Sequence, residues 1–259
     1  MPVLIGTSGW HYRHWRAGLY PDSLPAGAWL GYYAQRFATV ELNNAFYRLP
    51  EAKTFASWAE ILPDDFVVSV KASRYLTHIR RLRDPKEPVA RLMERAAELG
   101  PKLGPVLLQL SPNMSVDLDA LRETLAAFPL GTRVAAEFRH ESWFVPSVRA
   151  LLEEAGAAWC LADRDGPQGP LWRTADWGYV RFHHGRSRPS SCYGRAALDS
   201  WAGRLGALWP ASADLFTYFN NDEHGCAPRD ARLFAGALAR VGLSVSRVPS
   251  AREVPLTKG

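Results

Sequence analysis

Eight short apolar runs alternate with amphipathic stretches along nearly the whole chain, and this alternation constrains the fold more than any other feature. The runs are Val3–Thr7, Thr39–Asn43, Phe66–Lys71, Val106–Leu110, Val134–Phe138, Trp159–Ala162, Gly178–Phe182 and Leu215–Asn220. Between most of them lie Ala28–Phe37, Ala52–Ile61, Glu87–Leu99, Leu118–Ala127, Pro146–Ala155, Arg195–Leu208 and Pro228–Val241, whose apolar residues recur at helical spacing. Pro146 is placed to open a helix, and Gly100 and Gly156 to close one. The sixth connection, Asp163 to Asp176, is short, rich in Gly and Pro, and reads as a loop. Strict alternation implies a parallel sheet, and eight units in 259 residues imply an α/β fold closed into a single (β/α)8 TIM barrel over residues 1–242, with an irregular sixth connection. The alternative, an open doubly wound sheet, usually carries a glycine-rich phosphate loop after its first strand. Gly6-Thr7-Ser8-Gly9-Trp10 does not make one. Residues 243–259 have no period and read as a loosely ordered tail.

Composition narrows the class. Lys plus Arg number 31 against 26 for Asp plus Glu, a net charge of +5 that mildly favours anionic partners. The three cysteines, Cys160, Cys192 and Cys226, form no C-x-x-C pair, which argues against a zinc knot and a disulfide framework and points to a reducing compartment. The opening residues lack the pattern of a signal peptide, and no run is long enough to span a bilayer, so the expectation is a soluble, cytoplasmic protein.

Side chains alternate along a strand, so in a barrel one set meets the helices and the other meets the interior. The expected inward set is Glu41 and Asn43; Val67, Ser69 and Lys71; Gln109; Glu137 and Arg139; Tyr179, Arg181 and His183; Tyr218 and Asn220. Its polar members gather at the C-terminal strand ends, where barrel enzymes place their sites. A single inward charge is ordinarily half of a structural ion pair. Five strands ending in inward polar groups of both signs instead point to a pocket, because burying such groups unpaired costs roughly 2–7 kcal/mol even when they are neutral.

These residues also carry a resemblance. The run IGTSGWHYRHWRAGLYPDSLPAGAWLGYYAQRFATVELNNAFYRLP and the later segments KASRYLTH, LGPVLLQLSPN, AEFRHESW, YVRFHHG and YFNNDEHGCAPRDA resemble the signature of the DUF72 (YecE-like) family, from Ile5 to about Val241. The resemblance implies a TIM-barrel fold, agreeing with the alternation. It also implies kinship with barrels loosely linked to sugar isomerases, metal-dependent isomerases and DNA-repair endonucleases, without fixing a reaction. Ala45 departs from the family pattern, which usually has Ser or Thr before Phe-Tyr.

Two loop features flank the strand ends. Arg74, His78, Arg80, Arg81, Arg83, Lys86 and Arg91 form a basic segment over 73–91, suited to phosphate oxygens or to solvent. Trp10, Tyr12, Trp15, Tyr20, Tyr47 and Trp143 are suited to stacking sugars or bases, or simply to packing on the rim.

The resulting expectation is a barrel enzyme, isomerase- or lyase-like or a metal-assisted hydrolase, acting on a small anionic sugar-phosphate or nucleotide-like substrate. Glu41, Glu137 and Lys71 are the catalytic candidates, with the two carboxylates pushed to different proton affinities. Asn43, Gln109, Arg139, Arg181, His183, Tyr218 and Asn220 are the substrate-binding candidates. On this reading Glu137→Gln leaves the fold stable and abolishes turnover. No organic-cofactor motif is present, and Asp163 or His183 beside the glutamates gives only a weak divalent-metal signal. The alternatives are a nucleic-acid-binding or repair protein gripping a phosphate backbone with its basic loop 73–91, and a non-catalytic sensor using the same pocket.

Overall fold

Each of the eight apolar runs forms a strand: β1 (Leu4–Thr7), β2 (Thr39–Leu42), β3 (Val67–Lys71), β4 (Leu103–Gln109), β5 (Val134–Glu137), β6 (Ala158–Asp163), β7 (Gly178–Phe182) and β8 (Leu215–Phe219). The computed structural model describes residues 2–16, 18–188 and 190–254. All neighbouring strands pair in parallel, in the order β1-β8-β7-β6-β5-β4-β3-β2. The ends of this sheet meet through a parallel bridge between Ser8 and Glu41, so the barrel is nearly closed. Gly6 permits the approach, because a Cβ there would lie 2.3 Å from the Thr39 carbonyl oxygen.

The helices are α1 (Trp29–Ala34), α2 (Asn44–Tyr47), α3 (Ala52–Ile61), α4 (Lys86–Ala96), α5 (Leu118–Ala126), α6 (Pro146–Glu154), α7 (Arg195–Leu208) and α8 (Cys226–Arg240). Their termini follow local chemistry. The Asp117 carboxylate accepts from the Ala120 amide at the start of α5, Pro146 opens α6, and Gly156, at φ +61°, ends that turn. The sixth connection carries no helix, as its composition implies.

Apolar surface is buried in two places. A large outer core lies between strands and helices, built on Trp29, Tyr33, Phe37, Phe55, Leu121 and Phe234 among others. A smaller cluster fills the lower barrel interior with Leu4, Leu107, Ala135, Ala158, Cys160, Tyr179, Phe216 and Tyr218. The lower interior is thus filled by side chains, and a shallow cavity of about 490 Å³ lined by Val67, Leu103, Arg133 and Phe216 among others lies outside it at the N-terminal end.

Two sequence expectations are corrected. The stretch from 243 to 254 is not loose: the Val3 amide donates to the Ser244 carbonyl at 2.8 Å, and the Ser246 amide to the Val3 carbonyl at 2.9 Å. Leu243 and Val254 are buried, Arg247 Nε donates to the carbonyls of Ala34 and Phe37, and its guanidinium pairs with Asp65. Its sequence has no period because it lies along the barrel wall, beside β1, without joining the strand–helix rhythm. Residues 255–259 lie outside the described residues.

The second correction concerns the cysteines. Cys192 and Cys226 form a disulfide, with Cα atoms 5.0 Å apart across a sequence separation of 34. The loop after β7 and the start of α8 meet only in three dimensions, which is why spacing gave no sign of the pair. The reducing-compartment inference therefore loses its basis. Cys160 is free and buried. Among the described residues no helix is long and apolar enough to cross a membrane.

Candidate active site

The strand alternation places its charges where expected, and they converge. Arg181, from β7, is fully buried, and it donates from Nη2 to Glu41 Oε1 at 2.8 Å and from Nη1 to Glu137 Oε2 at 2.5 Å. One guanidinium therefore links carboxylates from β2 and β5 across the barrel. Arg139 Nε takes the other Glu137 oxygen at 2.9 Å. Tyr179 donates to Glu41 Oε2 at 2.8 Å, and Ser8 Oγ to Glu41 Oε1 at 2.6 Å. Ser8 was not foreseen as a partner, because β1 and β2 adjoin only through barrel closure.

This wiring sets the charges. Burial, the largest single cause, would raise both glutamates, but Arg181 outweighs it in combination with Ser8 and Lys71 at Glu41 and with His183 and Arg139 at Glu137. Both end below the ordinary carboxylate range, Glu137 well below it. The two differ in degree, but neither is raised toward holding a proton. Both are held as carboxylates, which makes them weak bases and firm electrostatic anchors.

Lys71 behaves differently. It ends β3, is 8% exposed, and its Nζ lies 4.2 Å from the centroid of the Phe46 ring. Its ammonium is pushed down to about 8, first by burial and then by Arg181, with Glu41 and Glu137 opposing. Among the described residues no carboxylate lies within ion-pair distance of it, since Arg181 and Arg139 occupy those of the barrel mouth.

The rim is polar. Asn43 Nδ2 reaches Asn220 Oδ1 at 3.4 Å, and Asn220 Nδ2 lies 3.1 Å from His183 Nδ1. With Nδ1 accepting from Asn220, Nε2 carries the proton; it lies 3.4 Å from both Glu137 Oε1 and Arg181 Nη1. Burial lowers His183, leaving a neutral imidazole near neutral pH. The Asn43 Oδ1 atom is buried without a partner. Gln109 points inward and donates to the Leu110 carbonyl at 3.2 Å.

Other candidates lie elsewhere. Tyr218 is fully buried, its hydroxyl 2.7 Å from both Thr39 Oγ1 and Ser69 Oγ, so it braces the floor beneath the charges. Asp163 turns outward to accept from Trp201 Nε1 at 2.9 Å. Asn221 and Asp222 hold loops: the first bonds Ser191 and Asp230, the second Trp15 and His14. Among the described residues no three His, Cys, Asp or Glu side chains gather as a metal-binding group.

The basic loop begins with one turn of π-helix, Tyr75–Ile79. Within it Arg80 pairs with Asp84 and Arg81 with Asn113, while Arg74, Arg83, Lys86 and Arg91 are exposed. His78 is lowered by burial and by Lys71, Arg74 and Arg139, so this part of the loop does face the mouth. Of the loop aromatics, Trp15, Tyr20 and Trp143 are core residues, Trp10 and Tyr12 pack against the core, and Tyr47 is exposed. Ala45, which departs from the family pattern, is fully buried on α2.

A separate cavity of about 370 Å³ opens beside the sixth connection, lined by Phe138, Trp159, Arg164, Trp201 and Arg204 among others. Its lining omits Glu41, Lys71, Glu137 and Arg181.

The profile of a family described as "Protein of unknown function DUF72" matches residues 4–253 of this sequence. The chain belongs to the DUF72 family. The match includes the segment 243–253 that packs beside β1. A UPF0759 protein, YunF of Bacillus subtilis, is 26% identical over 87% of this chain and 90% of its own length. The UPF0759 protein YecE of Escherichia coli is 30% identical over 55% of this chain, a match that spans half of that relative. The crystal structure of a DUF72 family protein from Thermotoga maritima superposes with a TM-score of 0.82 at 26% identity, covering 92% of this chain and all of that one. The DUF72 barrel is therefore shared along with the sequence signature.

Proposed function

We propose that this DUF72 barrel is an enzyme that binds a small anionic substrate at the C-terminal ends of its strands. The observation that supports this best is the imbalance at the mouth. Two carboxylates, Glu41 and Glu137, meet three cations, Arg181, Arg139 and Lys71, and the carboxylates are engaged by the arginines. One positive charge is left over beneath a rim of amides and imidazole. An unpaired buried cation is costly, and a stability-driven interior would have replaced it with an apolar residue. An anion entering the mouth completes the set, with Arg139 and Lys71 as its contacts and Asn43, Asn220 and His183 fixing its orientation.

In this reading Glu41 and Glu137 do not shuttle protons; they hold Arg181 and set the field. Proton transfer falls to Lys71, whose affinity lies near neutrality, and to the neutral His183. A sugar phosphate or nucleotide-like acid supplies the charge and the hydroxyls that such a rim recognises.

Calorimetric titration with ribose 5-phosphate and inorganic phosphate tests the reading. Binding by the wild-type chain and at least tenfold weaker binding by Lys71→Met are expected. Equal binding by the two proteins would overturn it. Salt-sensitive binding of oligonucleotides with no response to small phosphates would favour a backbone-gripping role for loop 73–91.

A further inference from the structure

The chain contains five lysines, Lys53, Lys71, Lys86, Lys102 and Lys258, against twenty-six arginines. The cations that hold the glutamates at this mouth are arginines: buried Arg181 between the two, and half-buried Arg139 on one of them. Arginine stays protonated at any ordinary pH, whereas lysine can lose its proton and become a nucleophile. The one inward position occupied by lysine is also the one left without a carboxylate.

We propose that Lys71 is a nucleophile that condenses with the carbonyl carbon of an anionic aldehyde or ketone to form an imine. The inference rests on the anion-binding reading above and names the substrate class for it. The geometry has three parts. First, Lys71 is the last residue of β3, at the C-terminal end where the mouth lies, and it keeps a small exposed surface. Second, the Phe46 face holds the amine in place from one side without neutralising it. Third, Arg139 stands on the same mouth, where it can take the substrate's negative charge while its carbonyl carbon reaches Nζ.

The groups facing Lys71 are Glu41 on β2, Glu137 on β5, Arg139 after it, Arg181 on β7 and His78 in the loop after β3. Together with burial they leave roughly a tenth of the amine neutral at pH 7, about 300-fold more than for an ordinary lysine. In the condensation the Nζ lone pair bonds to the carbonyl carbon and the C=O π pair moves to oxygen. That oxygen departs as water with both amine hydrogens, so no oxidant or further reactant is consumed. His78 packs edge-on to Phe46 at 5.0 Å between centroids, with Nδ1 2.9 Å from Thr77 Oγ1, and is the nearby neutral imidazole that passes protons during the loss of water.

Reductive trapping tests this. The full chain is incubated at pH 7 with pyridoxal 5′-phosphate, an aldehyde that also carries a phosphate, then reduced with borohydride and mapped by peptide mass. Lys71 is expected to carry at least tenfold more adduct than Lys53, Lys86 or Lys102, and Lys71→Arg to lose most of the total. Labelling that favours the exposed lysines and leaves Lys71 unmodified would overturn the proposal, as would undiminished trapping in Lys71→Arg. Calorimetry with inorganic phosphate separates the two readings. Phosphate binding without an adduct at Lys71 removes the imine alone, and the absence of both removes the anion pocket with it.

Discussion

Gly6 passes Thr39 so closely that the barrel closes only because Gly6 has no side chain. A Cβ would sit 2.3 Å from the Thr39 carbonyl oxygen, and backbone cannot move aside as a flexible side chain would. Gly6→Ala is expected to cost about 1–3 kcal/mol by forcing β1 from β2. Gly27→Ala is the control, since a Cβ there meets nothing within 4 Å. Urea unfolding of both variants checks this, and equal midpoints would contradict the closure.

The seam matters beyond stability, because Ser8 reaches Glu41 across it. Much of this was legible in the sequence. Two-residue alternation placed Glu41, Lys71, Glu137 and Arg181 on the inner face, since strand geometry leaves a side chain only two directions. What remained hidden depends on distance in space. The bond from Ser8 to Glu41, the outward turn of Asp163 to Trp201 and the pairing of Cys192 with Cys226 join residues that no spacing rule connects. That both glutamates are held as carboxylates is hidden from the sequence for a related reason. Alternation says that charges face one another, but not that one arginine takes an oxygen from each.

Glu137→Gln follows from that sharing. The sequence alone suggested a variant that stays folded and loses turnover. The structure instead gives Glu137 bonds to both Arg181 and Arg139 in a fully buried setting. Removing the charge leaves Arg181 half-paired, and a loss of about 3–5 kcal/mol is expected. Thermal unfolding decides the matter: an unchanged midpoint would mean that the triad contributes little.

Lys71 gives stability a pH dependence of its own. Its proton affinity falls from the ordinary 10.5 to about 8 on folding, through burial first and Arg181 second. Between those values the unfolded chain keeps a proton that the folded chain has released, so stability rises with pH across that window. Lys71→Met removes this dependence. It is expected to stabilise the protein at pH 7 by on the order of 1–3 kcal/mol, with the gain fading toward pH 10.5. Denaturant titrations at pH 7 and 10 would show this, and a variant less stable than wild type at pH 7 would refute it.

Ending the chain at Gly242 should be costly. Leu243 and Val254 lose their burial, Val3 loses both partners, and Arg247 no longer ties the end of α1 to Asp65. Two buried aliphatic side chains alone account for roughly 3 kcal/mol or more. A truncated chain that melts with the full-length protein would show that the segment merely rests on the surface.

The Glu41–Arg181–Glu137 triad also limits how a lineage carrying this barrel can drift. Losing either acid strands a guanidinium with half its partners, and losing the arginine leaves two carboxylates facing each other in a dry interior. Each single step passes through a poorly folding intermediate, while joint replacement by apolar residues does not. Descendants should therefore keep all three residues or have given them up together, so that the trio is inherited as one character.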